Sequence, residues 1–203
     1  MDKQLMQEIE QALGAPEGSA VEQSRRRVAA WFEAKAPLIM WDAVESPLGL
    51  IYVAATPEGV SSVMWGVGEA DFLSTLDPLA RTERDPEALA PAAAQLRAYF
   101  EQPTLRFDVP LDLSAASPFH RKALQLIRSI PAGTVWTYKQ VAEALGRPAA
   151  SRAVGQAMAR NPVPIIVPCH RVVGSGGSLT GYGGGGGIAT KRRLLQMEGA
   201  LTA

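Results

Sequence analysis

Cysteine occurs once in the 203 residues, at position 169, and His170 and Arg171 follow it directly. A free thiol with a pKa of about 8.5 is only a few per cent thiolate at neutral pH, so a nucleophilic cysteine needs a base or a cation beside it. His170, Arg171 and their basic surroundings supply both. The approach to Cys169 reads Asn161-Pro162-Val163-Pro164-Ile165-Ile166-Val167-Pro168. Its three prolines predict extended backbone, and Ile165, Ile166 and Val167 are apolar enough to be buried. The pattern predicts a rigid, buried segment that delivers a reactive sulfur at its end. Against this stands the reading of a lone cysteine as an inert, buried small hydrophobe. A hydrolase with His120 as a distant base is a further alternative, but no motif surrounds His120. One cysteine cannot form an internal disulfide, and with only two histidines a structural zinc site is not expected. The chain is therefore read as metal-free and without a cofactor.

The elements around this segment are mostly helical. Ser117-Pro118 opens a helix with Phe119, Ala123, Leu124 and Ile127 on one stripe, ended by Ile130-Pro131-Ala132-Gly133. Thr137 with Gln140 makes a capping box, so a helix is expected from Tyr138 to Leu145. Gly146-Arg147-Pro148 is a turn, and a second helix is expected over about 149–159. Two short helices joined by such a turn form a candidate helix-turn-helix. The second carries small residues (Ala149, Ala150, Ser151, Ala153, Gly155, Ala157), with Arg152 and Gln156 one turn apart on one side. A long cation on a slim helix suits a DNA groove, although small residues also mark tight packing on a core.

Upstream, the period changes. Ile39–Val44, Leu50–Ala55 and Val60–Trp65 read as three strands joined by the turns 46–49 and 56–59. Ala92–Phe100 reads as a helix with Pro91 near its start and Leu96, Tyr99 and Phe100 on one face. This is an antiparallel sheet with helical cover, and nothing in it looks catalytic. Residues 1–36 look like a helical extension: Leu5, Met6, Ile9 and Leu13 recur at helical spacing, and Val28, Trp31 and Phe32 suggest a second helix beyond Gly14-Ala15-Pro16.

A net charge of zero conceals a division. From Ser117 onward 11 Lys or Arg face two acidic residues, a balance of +9, whereas the first 116 residues carry 9 basic and 18 acidic residues. A basic C-terminal half is suited to a polyanion, and the acidic half is not. No apolar run approaches the roughly 18 residues of a membrane span, and Met1-Asp2-Lys3-Gln4 does not open a secretory signal. A cytoplasmic protein without a membrane partner is expected.

Pro168-Cys169-His170-Arg171, preceded by Asn161-Pro162-Val163-Pro164, resembles the active-site signature of the methylated-DNA–protein-cysteine methyltransferases, the O6-alkylguanine-DNA alkyltransferases. The resemblance runs from about Phe119 to Gly199 and includes the helix-turn-helix. It implies an α+β protein: an N-terminal domain with a small antiparallel, RNase H-like sheet over 38–113, then a mostly helical, winged helix-turn-helix-like domain over 114–203, behind the extension 1–37. It also implies a single-turnover DNA repair enzyme that moves the alkyl group of O6-alkylguanine onto its own cysteine, with O4-alkylthymine as a further candidate lesion. The implied partner is double-stranded DNA held in the minor groove by a monomer. A non-catalytic alkylated-DNA binder is the alternative, and the presence of Cys169 speaks against it.

The resemblance assigns roles to residues. Cys169 would be the acceptor, His170 its base acting through a water, and Glu198 the residue orienting the imidazole. Asn161 would tie the active-site turn to the recognition helix, and Tyr138 would help rotate the nucleotide and donate to the departing guanine. Arg152 would fill the gap in the base stack, with Lys139, Arg147, Ser175 and Gln156 as further DNA contacts. Tyr182, Gly183, Val172 and Lys191 would form the base pocket. One departure is visible. Five glycines, 183–187, follow Tyr182 and put Lys191 farther on than is usual in the family, which predicts a longer, flexible pocket wall.

Overall fold

Three consecutive apolar strands, the middle one buried continuously from Ile51 to Ala55, build an antiparallel meander. In the computed structural model, which describes residues 18–202, β1 (Leu38–Ser46), β2 (Gly49–Thr56) and β3 (Gly59–Trp65) pair in sequence order. Their register places Ser46 opposite Gly49 and Thr56 opposite Gly59, so both connections are two-residue hairpins. A fourth strand, β4 (Arg81–Arg84), lies beside β1, giving the order β3-β2-β1-β4. A short helix, α2 (Glu69–Ser74), buries Phe72, which stacks on Tyr52 at a centroid distance of 5.1 Å. Neither α2 nor β4 is expected from the sequence.

Helix α3 (Pro86–Glu101) covers the sheet through Leu89, Ala92, Ala93, Leu96 and Tyr99. It starts earlier than predicted: Asp85 caps it by accepting from the Ala88 amide, and Pro86 occupies its first position, where no amide is needed. Pro91 lies inside this helix rather than at its start. Its exposed position leaves the ring in solvent, and the tertiary packing of the opposite face carries the helix through it.

The second half contains α4 (Pro118–Ile127), β5 (Trp136–Thr137), α5 (Tyr138–Ala144), a 3-10 turn at Pro148–Ala150, α6 (Ser151–Ala159), β6 (Val172–Val173) and α7 (Gly187–Met197). Both halves of the Thr137–Gln140 capping box are formed. The parallel pairing of β5 with β6 sets Tyr138, the first residue of α5, close to the chain that leaves Cys169.

The far side of β3, the edge of the sheet, is paired by later parts of the chain, and one of these bonds joins the two halves. Val63 donates its amide to the Pro162 carbonyl at 2.8 Å, and Val60 exchanges amide and carbonyl bonds with Pro110 and Asp112. The acceptor segment is thus fastened directly to the sheet.

A separate unit contains α1 (Gly18–Lys35) and residues 79–81. Val28 on α1 is exposed, as is Val21. Leu5, Met6, Ile9, Leu13 and the Gly14-Ala15-Pro16 break fall outside the described residues, as do the side chains of Trp31 and Phe32. Among the described residues no helix is long and apolar enough to cross a membrane.

Candidate active site

The approach to Cys169 is buried as predicted, but it is not extended. The Val167 amide bonds back to the Val163 carbonyl at 2.9 Å and closes a tight turn. Ile165 at its centre has φ of 75°, a left-handed conformation that costs a β-branched residue about 1–3 kcal/mol. Asn161, two residues past the end of α6, secures that turn. Its amide nitrogen donates to Val167 O at 2.8 Å and its oxygen accepts from the Val163 amide at 3.1 Å. The strain is therefore held from both ends by one side chain. Cys169 then enters a 3-10 turn, Cys169–Arg171, with 3% of its surface exposed.

Burial governs the thiol. It pushes the Cys169 pKa up to about 11, against the opposing pull of the Asn161 hydrogen bond and the Lys191 charge. The resting sulfur is thus a protonated thiol. The cation that acts on it is Lys191. Arg171, which the sequence suggested for that part, is committed elsewhere.

That commitment is to Glu198. Arg171 holds the carboxylate with two bonds of 2.8 Å, Nε to Oε2 and Nη2 to Oε1, and also donates to the Ile130 carbonyl. Glu198 Oε1 further accepts from His170 Nε2 at 2.8 Å and from the Tyr99 hydroxyl at 2.7 Å. Burial opposes ionisation of Glu198, but the bonds and charges of His170 and Arg171 outweigh it and hold the pKa at about 2. An ionised carboxylate can only accept, so Nε2 of His170 carries the proton and Nδ1 keeps a free lone pair. Nδ1 is buried and has no protein partner among the described residues. Burial also lowers the His170 pKa, against the raising influence of Glu198, so the ring is neutral and ready to accept a proton. The arrangement is an orienting carboxylate, a neutral imidazole and a thiol, the order of groups found in a nucleophilic triad.

An open cleft of about 730 Å³ has walls that include Tyr138, Arg152, Gly155, Ser175, Tyr182 and Gly183, and Cys169 itself does not line it. Arg152 is exposed on α6 and makes no hydrogen bond or ion pair among the described residues. The Tyr138 hydroxyl accepts from Thr180 Oγ1 at 3.3 Å, which leaves its own proton free. The Tyr182 hydroxyl is buried without a partner among the described residues.

Comparison with known proteins decides the family. The description "6-O-methylguanine DNA methyltransferase, ribonuclease-like domain" matches residues 39–113, and "6-O-methylguanine DNA methyltransferase, DNA binding domain" matches 118–200. The methylated-DNA–protein-cysteine methyltransferase of Mycolicibacterium paratuberculosis is 41% identical over 163 residues, covering 79% of this chain and 93% of the relative. This chain belongs to the methylated-DNA–protein-cysteine methyltransferase family. The Methanosarcina acetivorans member is 40% identical over 156 residues, 77% of this chain and 96% of its own. The crystal structure of Mycobacterium tuberculosis OGT in complex with DNA superimposes with a TM-score of 0.68 at 38% identity, covering 78% of this chain and 92% of that one.

Within the family framework, the fold brings Cys169, His170, Glu198 and Asn161 into one cluster and Tyr138, Lys139, Arg152, Ser175, Tyr182 and Gly183 around one cleft. The other sites fall differently. Gln156 is exposed on α6 and does not line the cleft. Arg147 sits over the Phe119 ring at 5.8 Å and does not line the cleft. Val172 and Lys191 are fully buried behind the wall rather than lining it. Lys191 Nζ donates to the carbonyls of Val172 and Thr180, at 2.6 and 3.2 Å, and so fastens the wall to the strand that leaves the active site. Sequence reading missed Tyr99. A buried tyrosine must find a partner for its hydroxyl, which was a usable signal, but its partner is 99 residues away.

Proposed function

We propose that this chain repairs DNA by moving an alkyl group from O6 of guanine onto Cys169, once per molecule. The observation that carries the reading is the buried Cys169 with a neutral His170 whose Nε2 is tied to an ionised Glu198, in a chain whose cleft bears an Arg152 with no ion pair among the described residues. His170 takes the thiol proton through a bridging water. The sulfur then forms a bond to the alkyl carbon as the carbon–O6 bond breaks, and the electron pair leaves on the guanine. Tyr138 donates to that base, and in the net balance the thiol proton ends on it. The product thioether is stable, so the protein is consumed.

A buried sulfur cannot reach O6 inside a duplex, so the nucleotide is turned out at a cost of a few kcal/mol, roughly offset by phosphate contacts and by Arg152 in the vacated stack. The helix-turn-helix works in the minor groove, where reading is indifferent to sequence, and the protein acts as a monomer in the cytoplasm. In this reading 38–113 is the supporting domain, 114–203 binds DNA and accepts the alkyl group, and 1–37 is an extension outside the reaction.

The test is intact mass after incubation with O6-methylguanine duplex. Wild type gains one methyl per chain and stops, while Cys169→Ser gains none and still binds the duplex. Sustained turnover, or transfer that survives the substitution, overturns the reading.

A further inference from the structure

Of the glycines after Tyr182, Gly184 and Gly185 are closely packed, and what packs them is Trp65, the last residue of β3 in the other half of the chain. Trp65 is 3% exposed and donates its indole Nε1 to the Gly185 carbonyl at 2.9 Å. A Cβ on Gly184 would lie 2.6 Å from the far edge of the Trp65 ring, and a Cβ on Gly185 would strike the Trp65 backbone. The Tyr182 ring lies against Trp65 at a centroid distance of 6.2 Å. On its other side the wall is fixed as closely: a Cβ on Gly183 would sit 2.6 Å from the Ala159 carbonyl at the end of α6. The wall is held at Gly183, Gly184 and Gly185 rather than flexible there. The glycines admit the backbone to two rigid surfaces.

β3 also holds the acceptor segment, through the Val63 amide and the Pro162 carbonyl. One strand therefore grips both the floor that carries Cys169 and the wall that carries Tyr182 and Gly183. On the transfer reading, their separation is the width available to the O6 substituent. We propose that Trp65 is the positioning residue that sets this width, and that it does so by clamping Gly184 and Gly185. A fixed wall favours a small alkyl group and excludes a bulky one. Specificity of this kind resides outside the DNA-binding half.

The inference rests on transfer to Cys169, and its test separates the two. Single-turnover rates are measured on the full chain with matched O6-methylguanine and O6-benzylguanine oligonucleotides, for wild type, Trp65→Phe and Trp65→Ala. Phenylalanine keeps a ring but loses the indole donor and the edge that meets Gly184, and alanine releases the wall altogether. The benzyl-to-methyl rate ratio rises by about tenfold in Trp65→Ala, as expected when a pocket's fit to a bulky group is relaxed, and by less in Trp65→Phe. A merely structural role lowers both rates together and leaves the ratio unmoved, which overturns the proposal. Should Trp65→Ala not fold, the Trp65→Phe ratio decides alone. If wild type itself transfers neither group, the transfer reading fails instead, and the two failures are distinguishable.

Discussion

Replacing Glu198 with glutamine tests how much the buried network contributes to the fold as well as to the reaction. The Glu198 side chain has no exposure, and it accepts four hydrogen bonds: two from Arg171 and one each from His170 and Tyr99. Its pKa falls from 4.5 to about 2 on folding, which by linkage corresponds to about 3 kcal/mol of stability. The amide keeps the shape but removes the charge, turns one acceptor into a donor among donors, and leaves the Arg171 guanidinium buried without its counterion. Breaking a buried pair costs about 3–5 kcal/mol, so the two routes agree. Glu198→Gln should lose about 3–4 kcal/mol in urea unfolding at pH 7, and for a chain of this size Tm should fall by about 6–16 °C. The sign with pH is fixed. Because the folded pKa lies below the unfolded one, the contribution is complete above pH 4.5 and is lost as pH falls toward 2. The gap between wild type and variant should therefore shrink in acid. A gap under about 1 kcal/mol at pH 7, or one that stays constant from pH 7 to 3, refutes the assignment of an ionised, load-sharing Glu198.

Arg152→Ala should slow repair of duplex lesions far more than reaction with free O6-benzylguanine, which requires no turning out of a nucleotide; equal losses would mean that Arg152 serves the fold or the chemistry. Iodoacetamide should alkylate Cys169 at a rate that climbs about tenfold per pH unit from pH 7 to 10, because burial keeps the thiol protonated until about pH 11; a plateau near pH 8, read by mass spectrometry, would contradict that. Deleting residues 1–36 should leave the single-turnover methyl rate within about threefold of wild type, and a larger loss in a truncated protein that remains folded by circular dichroism would bring the extension into the reaction.

Local chemistry was legible and remote contact was not. The capping box at Thr137 and Gln140 needs only four neighbouring residues, and α5 begins where they put it. β4 escaped notice because Arg81-Thr82-Glu83-Arg84 has no apolar alternation; its place is set by β1, the neighbouring strand. The prolines before Cys169 favour extended backbone, but the Asn161 side chain bends it through Ile165. Propensity states what backbone prefers, and a hydrogen-bonded side chain can hold what it does not. Arg171 was assigned to the thiol by adjacency in sequence, whereas the 3-10 turn swings it to Glu198, 27 residues on. A run of glycines displays missing side chains and not the surface that fills the space, which at Gly184 and Gly185 is Trp65.

The fastening of β3 to late parts of the chain has a consequence during synthesis. Trp65 leaves the ribosome 120 residues before Gly185, its partner. At about 5–20 residues per second, that interval is roughly 6–24 s. For most of it, until Pro162 emerges 99 residues after Val63, that stretch of the β3 edge lacks its backbone partner and offers a template on which a second nascent sheet can add. The yield of soluble protein should therefore depend on translation speed across residues 66–185 and on chaperones that occupy the edge meanwhile. Slowing elongation there would lower the yield without changing a single amino acid.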